Sequence, residues 1–290
     1  MIRKSIFQRI AENYNIDDEV RKINRLFEEQ EYFLKKTFYD YDYEFSKEDV
    51  TFVDILENYL FDPWKHRGTC VDIKEFFKRA NAEPPHPSYE IDEETAINFV
   101  EAMLNLIKLY RDNITFLESE NIDNYSDFDD VFCPLVETLK KRLGLTERII
   151  DDAVIVYPEN APLEQVLNVT TDEDAQWGLI RYCRENMDLA EKRKSLAYFA
   201  TAFYIEEDKN DDQATKLVVN KATNILNNLH IRHNNQTGKY EKEYLKDLSE
   251  EEALSLCDLL YNQILTIILL REQRKYDGVY KTFKDKQKGV

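Results

Sequence analysis

Glycine and proline are scarce, 6 and 7 of 290 residues. A many-stranded β protein needs a turn every ten or so residues, and these two residues supply most turns. The shortage therefore points to long helices and an all-α fold. Cysteine is scarce as well. Cys70, Cys133, Cys183 and Cys257 are scattered with no C-x-x-C pair, which excludes a disulfide framework and a zinc site of the usual spacings. Long apolar runs are missing too: no window approaches the roughly 18 uninterrupted apolar residues of a membrane span. The opening MIRKSIFQRIAENY lacks the apolar core of a secretory signal. There is no Walker or Rossmann glycine loop, no H-E-x-x-H and no G-x-S-x-G. These absences lead us to expect a cytoplasmic chain with no cofactor, no metal and no membrane.

What is present is apolar and acidic. Hydrophobic residues make up 43% and aromatics 12% of the chain, enough for packed cores and against wholesale disorder. The length suits two domains. The net charge is −18, which opposes general binding to phosphate backbones, a process that depends on lysine and arginine. The charge is uneven. From Arg271 to Val290 seven Lys/Arg stand against three Asp/Glu, a net of +4, leaving −22 on residues 1–270. A basic tail over 278–290 can meet nucleic acid or an acidic partner, although a solvated, frayed end is the plainer reading. The run ESENIDNYSDFDD, 118–130, holds six acids and no base. It lacks the spacing and glycine of a calcium loop, so 121–130 reads as a linker between a domain over 1–120 and one over 131–277.

Helical spacing of apolar residues predicts the elements. The first domain reads as helices over 17–38 (Val20, Ile23, Leu26, Phe27 inward), 47–60 (Phe52, Ile55, Leu56, Tyr59), 71–80 and 92–111 (Ile97, Val100, Leu104, Ile107). A proline-fixed loop covers 81–90. In the second, helices are expected over 131–143, 146–157 (with Thr146 as N-cap and Pro158 as stop), 172–204 (capped by Thr171 and broken near Asn186) and 211–229. The inward stripe of the last is Ala214, Val218, Ala222, Ile225 and Leu229. A terminal helix begins at Ser249, where Ser249 and Glu252 form a capping box. Its stripe is Leu256, Leu260, Ile264, Ile267 and Leu270.

One stretch, NILNNLHIRHNNQTGKYEKEYLKDLS over 224–249, runs a helical pattern straight into clustered polar residues. It holds His230 and His233, two of the four histidines. Arg232 and His233 can simply cap the preceding helix by bonding its last carbonyls. Alternatively Arg232 grips a phosphate oxygen, His233 acts as general acid or base and Asn234 and Asn235 orient the substrate. A second cluster, FDPWKHRGT, places Trp64, His66 and Arg67 on a turn between Pro63 and Gly68. Trp64 and Arg67 are candidates for a partner surface; the plainer reading makes Trp64 a core anchor and Arg67-Gly68 a turn.

The order of EKRKSLAYFATAFY, an amphipathic helix, LNNLHIRHNNQTGKYEKEYLKDLSEEE and an apolar terminal helix resembles the HEPN (higher eukaryotes and prokaryotes nucleotide-binding) superfamily. It is most similar to the C-terminal helical domains of abortive-infection proteins of bacterial phage defence, over residues 130–277. The resemblance implies a bundle of four or five helices, often dimeric, in which arginine and histidine of each protomer cleave RNA without metal. Here Arg232 would bind phosphate and His233 act as acid/base. The pattern is altered, because active members place the histidine several residues after the arginine, whereas His233 follows Arg232 at once. On a helix, neighbours diverge by about 100°. Either Lys239 and Tyr240 complete a changed site, or the chain is a binding-only member that regulates a protein partner. The expected partners are a second copy or another protein of a defence system, with RNA as substrate in the catalytic case.

Overall fold

A computed structural model describes residues 14–29, 34–39, 45–124, 128–233 and 242–288. The fold is all-α in its main mass, and it divides into two compact units, 1–159 and 160–290. The division falls well after the acidic 121–130 segment, where the charge run had suggested it. Phe128 and Phe132, 0% and 1% exposed, explain why. These two rings carry the end of the acidic run into the core of the first unit, and residues 131–159 follow them there.

In the first unit, α1 (Ile16–Glu29) is followed by β1 (Leu34–Tyr39) and β2 (Phe45–Val50). The helices expected over 17–38 and 47–60 are thus shorter, each flanked by an unexpected strand. Thr51 caps α2 (Phe52–Ile55) with a full capping box, and the chain continues through a widened turn, Leu56–Leu60. Next come α3 (Ile73–Arg79), α4 (Glu93–Asp112), α5 (Ile114–Ser119) and β3 (Ile122–Asn124). The three strands form one antiparallel sheet in the order β2-β1-β3. Then α6 (Cys133–Arg142) leads to β4 (Leu145–Ile150) and β5 (Ala153–Pro158). Asp92 caps α4, whose Ala96, Phe99, Val100, Met103 and Leu106 are fully buried. Around it Phe27, Phe52, Phe128 and Phe132 join its own Tyr110 in an aromatic core, with Phe52 and Phe128 centroids 4.7 Å apart.

The predicted helix over 146–157 is an antiparallel hairpin instead, in which Thr146 pairs with Tyr157 rather than capping anything. Ile149, Ile150, Val154, Ile155 and Val156 are β-branched and favour a pleated, half-buried surface. Between the strands Asp151 and Asp152 both take positive φ, 47° and 66°. Such a two-residue turn matches the twist of a hairpin, and aspartate tolerates it better than most residues. The edge of β5 docks on α4. Asn105 donates to the Val154 carbonyl (2.7 Å) and accepts from its N–H (2.8 Å), while Glu101 accepts from the Val156 N–H at 2.8 Å.

The second unit contains α7 (Ala161–Val169), α8 (Glu173–Arg184), α9 (Leu189–Ala202), α10 (Gln213–Asn228), α11 (Glu250–Gln273) and α12 (Asp277–Lys288). Asp172, not Thr171, caps α8, and the helix does break before Asp188, which caps α9 in a box with Glu191. The buried stripe of α10 is Thr215, Val219, Ala222 and Leu226; Ala222 and, just past the helix, Leu229 are buried as expected, whereas Val218 and Ile225 are half-buried and Ala214 is exposed. The Ser249–Glu252 box starts α11 as expected. The helical run Glu250–Gln287 holds an 18-residue window, of mean hydropathy 1.7, that is long and apolar enough to cross a membrane by length and composition alone. Packing against α7, α9 and α10 accounts for part of that composition: 39% of the window is buried, with Leu260, Ile264, Leu265 and Ile267 fully so. At the centre Tyr182 stacks on Tyr261 at 4.4 Å, and their hydroxyls donate to Asp258 and to the Leu179 carbonyl.

Candidate functional site

The helix that precedes Arg232 and His233 ends where expected, to within one residue. α10 stops at Asn228, and His230 adopts a left-handed conformation, φ 55°, that turns the chain out of the helix. Arg232 and His233 therefore do not extend its stripe. The end of α10 is closed locally: the Arg232 N–H donates to the Leu226 carbonyl at 3.0 Å, and the Tyr244 hydroxyl donates to that of Asn228 at 2.9 Å. Helix ends need such donors for their orphan carbonyls.

The Arg232 side chain points elsewhere. Its guanidinium donates to the carbonyl of fully buried Ile205 at 3.0 Å and sits 3.7 Å from a Glu206 carboxylate oxygen. The same turn is gripped from the other side by Arg271, which donates to the carbonyls of Tyr204 and Glu206, both at 2.7 Å. Arg271 also pairs with Asp211 at 3.0 Å, and Arg274 does so at 3.1 Å. The Asp211 carboxylate is out of solvent. Burial alone would raise its pKa, but Arg271, the Asp208 amide and Arg274 outweigh that and hold it below the ordinary carboxylate value. Two arginines and one buried carboxylate thus lock the 204–211 turn between α9 and α10. Spacing could not reveal this, because the partners lie 27 and 60 residues apart. His233 is half-buried. Asn234, Asn235, Lys239 and Tyr240 lie outside the described residues.

The second candidate cluster is split by the structure. Arg67 faces its own turn, donating to the Asp62 and Cys70 carbonyls at 2.8 and 2.7 Å. Gly68 at φ 60° completes that turn. Trp64 is half-buried against the core, 5.2 Å from Phe76, yet it also lines an open cleft of about 530 Å³. This volume lies in the range of small-molecule sites. Tyr59, Phe116 and Trp64 provide apolar walls, and Lys65, Lys108, Asp112 and Asp152 provide charge. Lys108 pairs with both Asp112 and Asp152, and those two bonds raise its pKa. The sequence reading missed Lys108, Asp112 and Asp152. The charged i, i+4 pair Lys108–Asp112 at the end of an apolar helix was the available signal.

Thiol chemistry has little support. Burial pushes Cys133 and Cys257 each up to about 11, which leaves them protonated. Among the described residues no three His, Cys, Asp or Glu stand together as metal ligands. No family model, curated protein or solved structure matches the chain.

Proposed function

We propose that this chain is a non-catalytic helical binding protein of the abortive-infection type, cytoplasmic, which regulates a protein partner in phage defence. The observation that carries this reading is the commitment of Arg232 to Ile205 and Glu206. A phosphate-gripping arginine has to present its planar fork to the substrate, with an acid/base group in reach. Here the fork closes a turn of its own unit, and breaking it free would strip a buried carbonyl of its donor. The −18 charge supports the same reading, because RNA would approach against it. Partner recognition is assigned to the first unit, where the Trp64 cleft offers aromatic walls with charge of both signs.

The test is incubation with a mixed RNA pool in EDTA, beside Arg232→Ala and His233→Ala. We expect no cleavage by any of the three proteins and a lower melting temperature for Arg232→Ala. Products with 2′,3′-cyclic ends, lost in both variants, would overturn the proposal and establish a metal-independent ribonuclease whose site extends into 234–240.

A further inference from the structure

We propose that α12 docks on membrane surfaces, laying its apolar stripe into the headgroup region of an anionic lipid bilayer. This goes beyond the functional reading above and does not depend on it. A helix that lies on a membrane needs no spanning segment, and the sequence expectation of no membrane addressed spans alone.

Among the described residues nothing covers α12: from Lys275 to Gln287 every side chain is exposed. Tyr276, Val279, Tyr280 and Phe283 are 65, 69, 65 and 55% exposed. At about 100° per residue these four share an arc of roughly 100° on the helix. An apolar stripe of this kind marks a contact surface. Tyrosine suits a bilayer surface in particular, because its ring is apolar and its hydroxyl can stay among the headgroups.

The charges on α12 select the partner. Lys281, Lys284 and Lys286 make no ion pair among the described residues, and Lys275 pairs only with Glu272, one turn back, at 2.5 Å. Measured from the centre of the stripe, Lys284 lies roughly 90° to one side and Lys286 roughly 70° to the other. The acids Asp277 and Asp285 lie farther round, at about 110° and 170°. Lysines at both margins of an apolar stripe can bury their stems and raise their ammonium groups to headgroup phosphates and carboxylates. A plane of negative charge meets both margins at once, whereas a protein groove would need an acidic rim on each side. RNA also offers phosphates to the lysines, but no apolar phase for the whole stripe.

The acidic balance of the chain does not forbid this docking. Arg274 and Asp277 keep right-handed helical angles, so α12 continues α11 without folding back on it. Phe283 therefore lies about 15 Å along the axis beyond Gln273, the last residue of α11. Charge acts over roughly 8 Å at physiological salt. The −22 on residues 1–270 is thus largely screened from a bilayer that meets α12. Meanwhile α11 keeps its place in the bundle, since Leu260, Ile264, Leu265 and Ile267 are already buried there. Four apolar side chains give a weak, reversible attachment, and each lysine near an anionic surface strengthens it about fivefold.

Flotation of the full chain with vesicles tests this, using phosphatidylcholine alone or mixed with phosphatidylserine. We expect binding to the mixed vesicles at low salt, at least tenfold weaker with phosphatidylcholine alone and lost at high salt. Tyr280→Glu/Phe283→Glu and, separately, Lys284→Glu/Lys286→Glu should each weaken it at least tenfold. Asp285→Asn, on the opposite face of α12, should not. Circular dichroism checks that each variant keeps its helix content. A chain that ignores mixed vesicles at low salt overturns the proposal. So does binding indifferent to lipid charge or to both double substitutions. Protein that resists extraction from the vesicles by alkaline carbonate would put α11 across the bilayer and sink surface docking. RNA binding or self-association that disappears in Tyr280→Glu/Phe283→Glu, with no vesicle binding, would overturn it too and reassign the stripe.

Discussion

Asp211 is the smallest place where stability and the candidate site meet. Its carboxylate is buried between Arg271 and Arg274, and Arg271 and Arg232 hold the two sides of the 204–206 turn. Removing one partner of a buried pair leaves an uncompensated charge, so Asp211→Asn should cost about 3 kcal/mol, read by urea unfolding. Because the folded pKa is depressed, this stabilisation is complete above the ordinary carboxylate value of about 4. It is lost as pH falls through the lower folded value. The Asp211→Asn difference should therefore shrink below about pH 4, and a difference that persists there would sink the electrostatic account. Arg232→Ala should cost less, roughly 1–2 kcal/mol, since Glu206 is exposed and only the bond to Ile205 is sheltered. The I-R-H-N segment was legible as a helix end, but the Arg232 side chain does not supply the expected cap: the Arg232 backbone N–H and the Tyr244 hydroxyl close the helix. What the Arg232 side chain bonds was not legible, since Ile205 is an ordinary apolar residue 27 positions away.

At the scale of the element, the β4-β5 hairpin was misread and α11 was read well, for one reason. A capping box and an apolar stripe act within a few residues, so Ser249 and Glu252 announce α11 directly. TERIIDDAVIVYP contains apolar residues that fit a short helix or a strand equally, and periodicity does not separate the two. The arbiter is the double left-handed turn at Asp151-Asp152, together with Asn105 and Glu101 on α4. Those side chains act as a neighbouring strand would, satisfying the backbone of β5. Asn105→Ala leaves the Val154 N–H and carbonyl without these bonds, and we expect about 2 kcal/mol of destabilisation. Faster hydrogen exchange should appear at Val154 and Val156, with α11 unaffected. Uniform exchange throughout the chain would instead mean that the hairpin is no separate element.

For the whole molecule, the division at residue 159 places a complete aromatic core in one unit and a helical bundle in the other. Residues 160–290, expressed alone, should keep a cooperative thermal transition by circular dichroism. A fragment starting at 131, where charge had suggested a boundary, should expose Phe132, Leu139 and Val156 and aggregate. If the longer fragment behaved better than the shorter one, the boundary would have to move back. The amino-acid sequence by itself determined the helical character, through few glycines and prolines, the acidic balance, and most helix starts, because composition and capping are local. Tertiary structure decided where the units divide, which residues of 145–158 became strands, which face of α10 is buried and what Arg232 does. Each of these depends on a partner distant in the chain, a buried ring, a free backbone edge or an unsatisfied carbonyl, and only folding brings such partners within bonding distance.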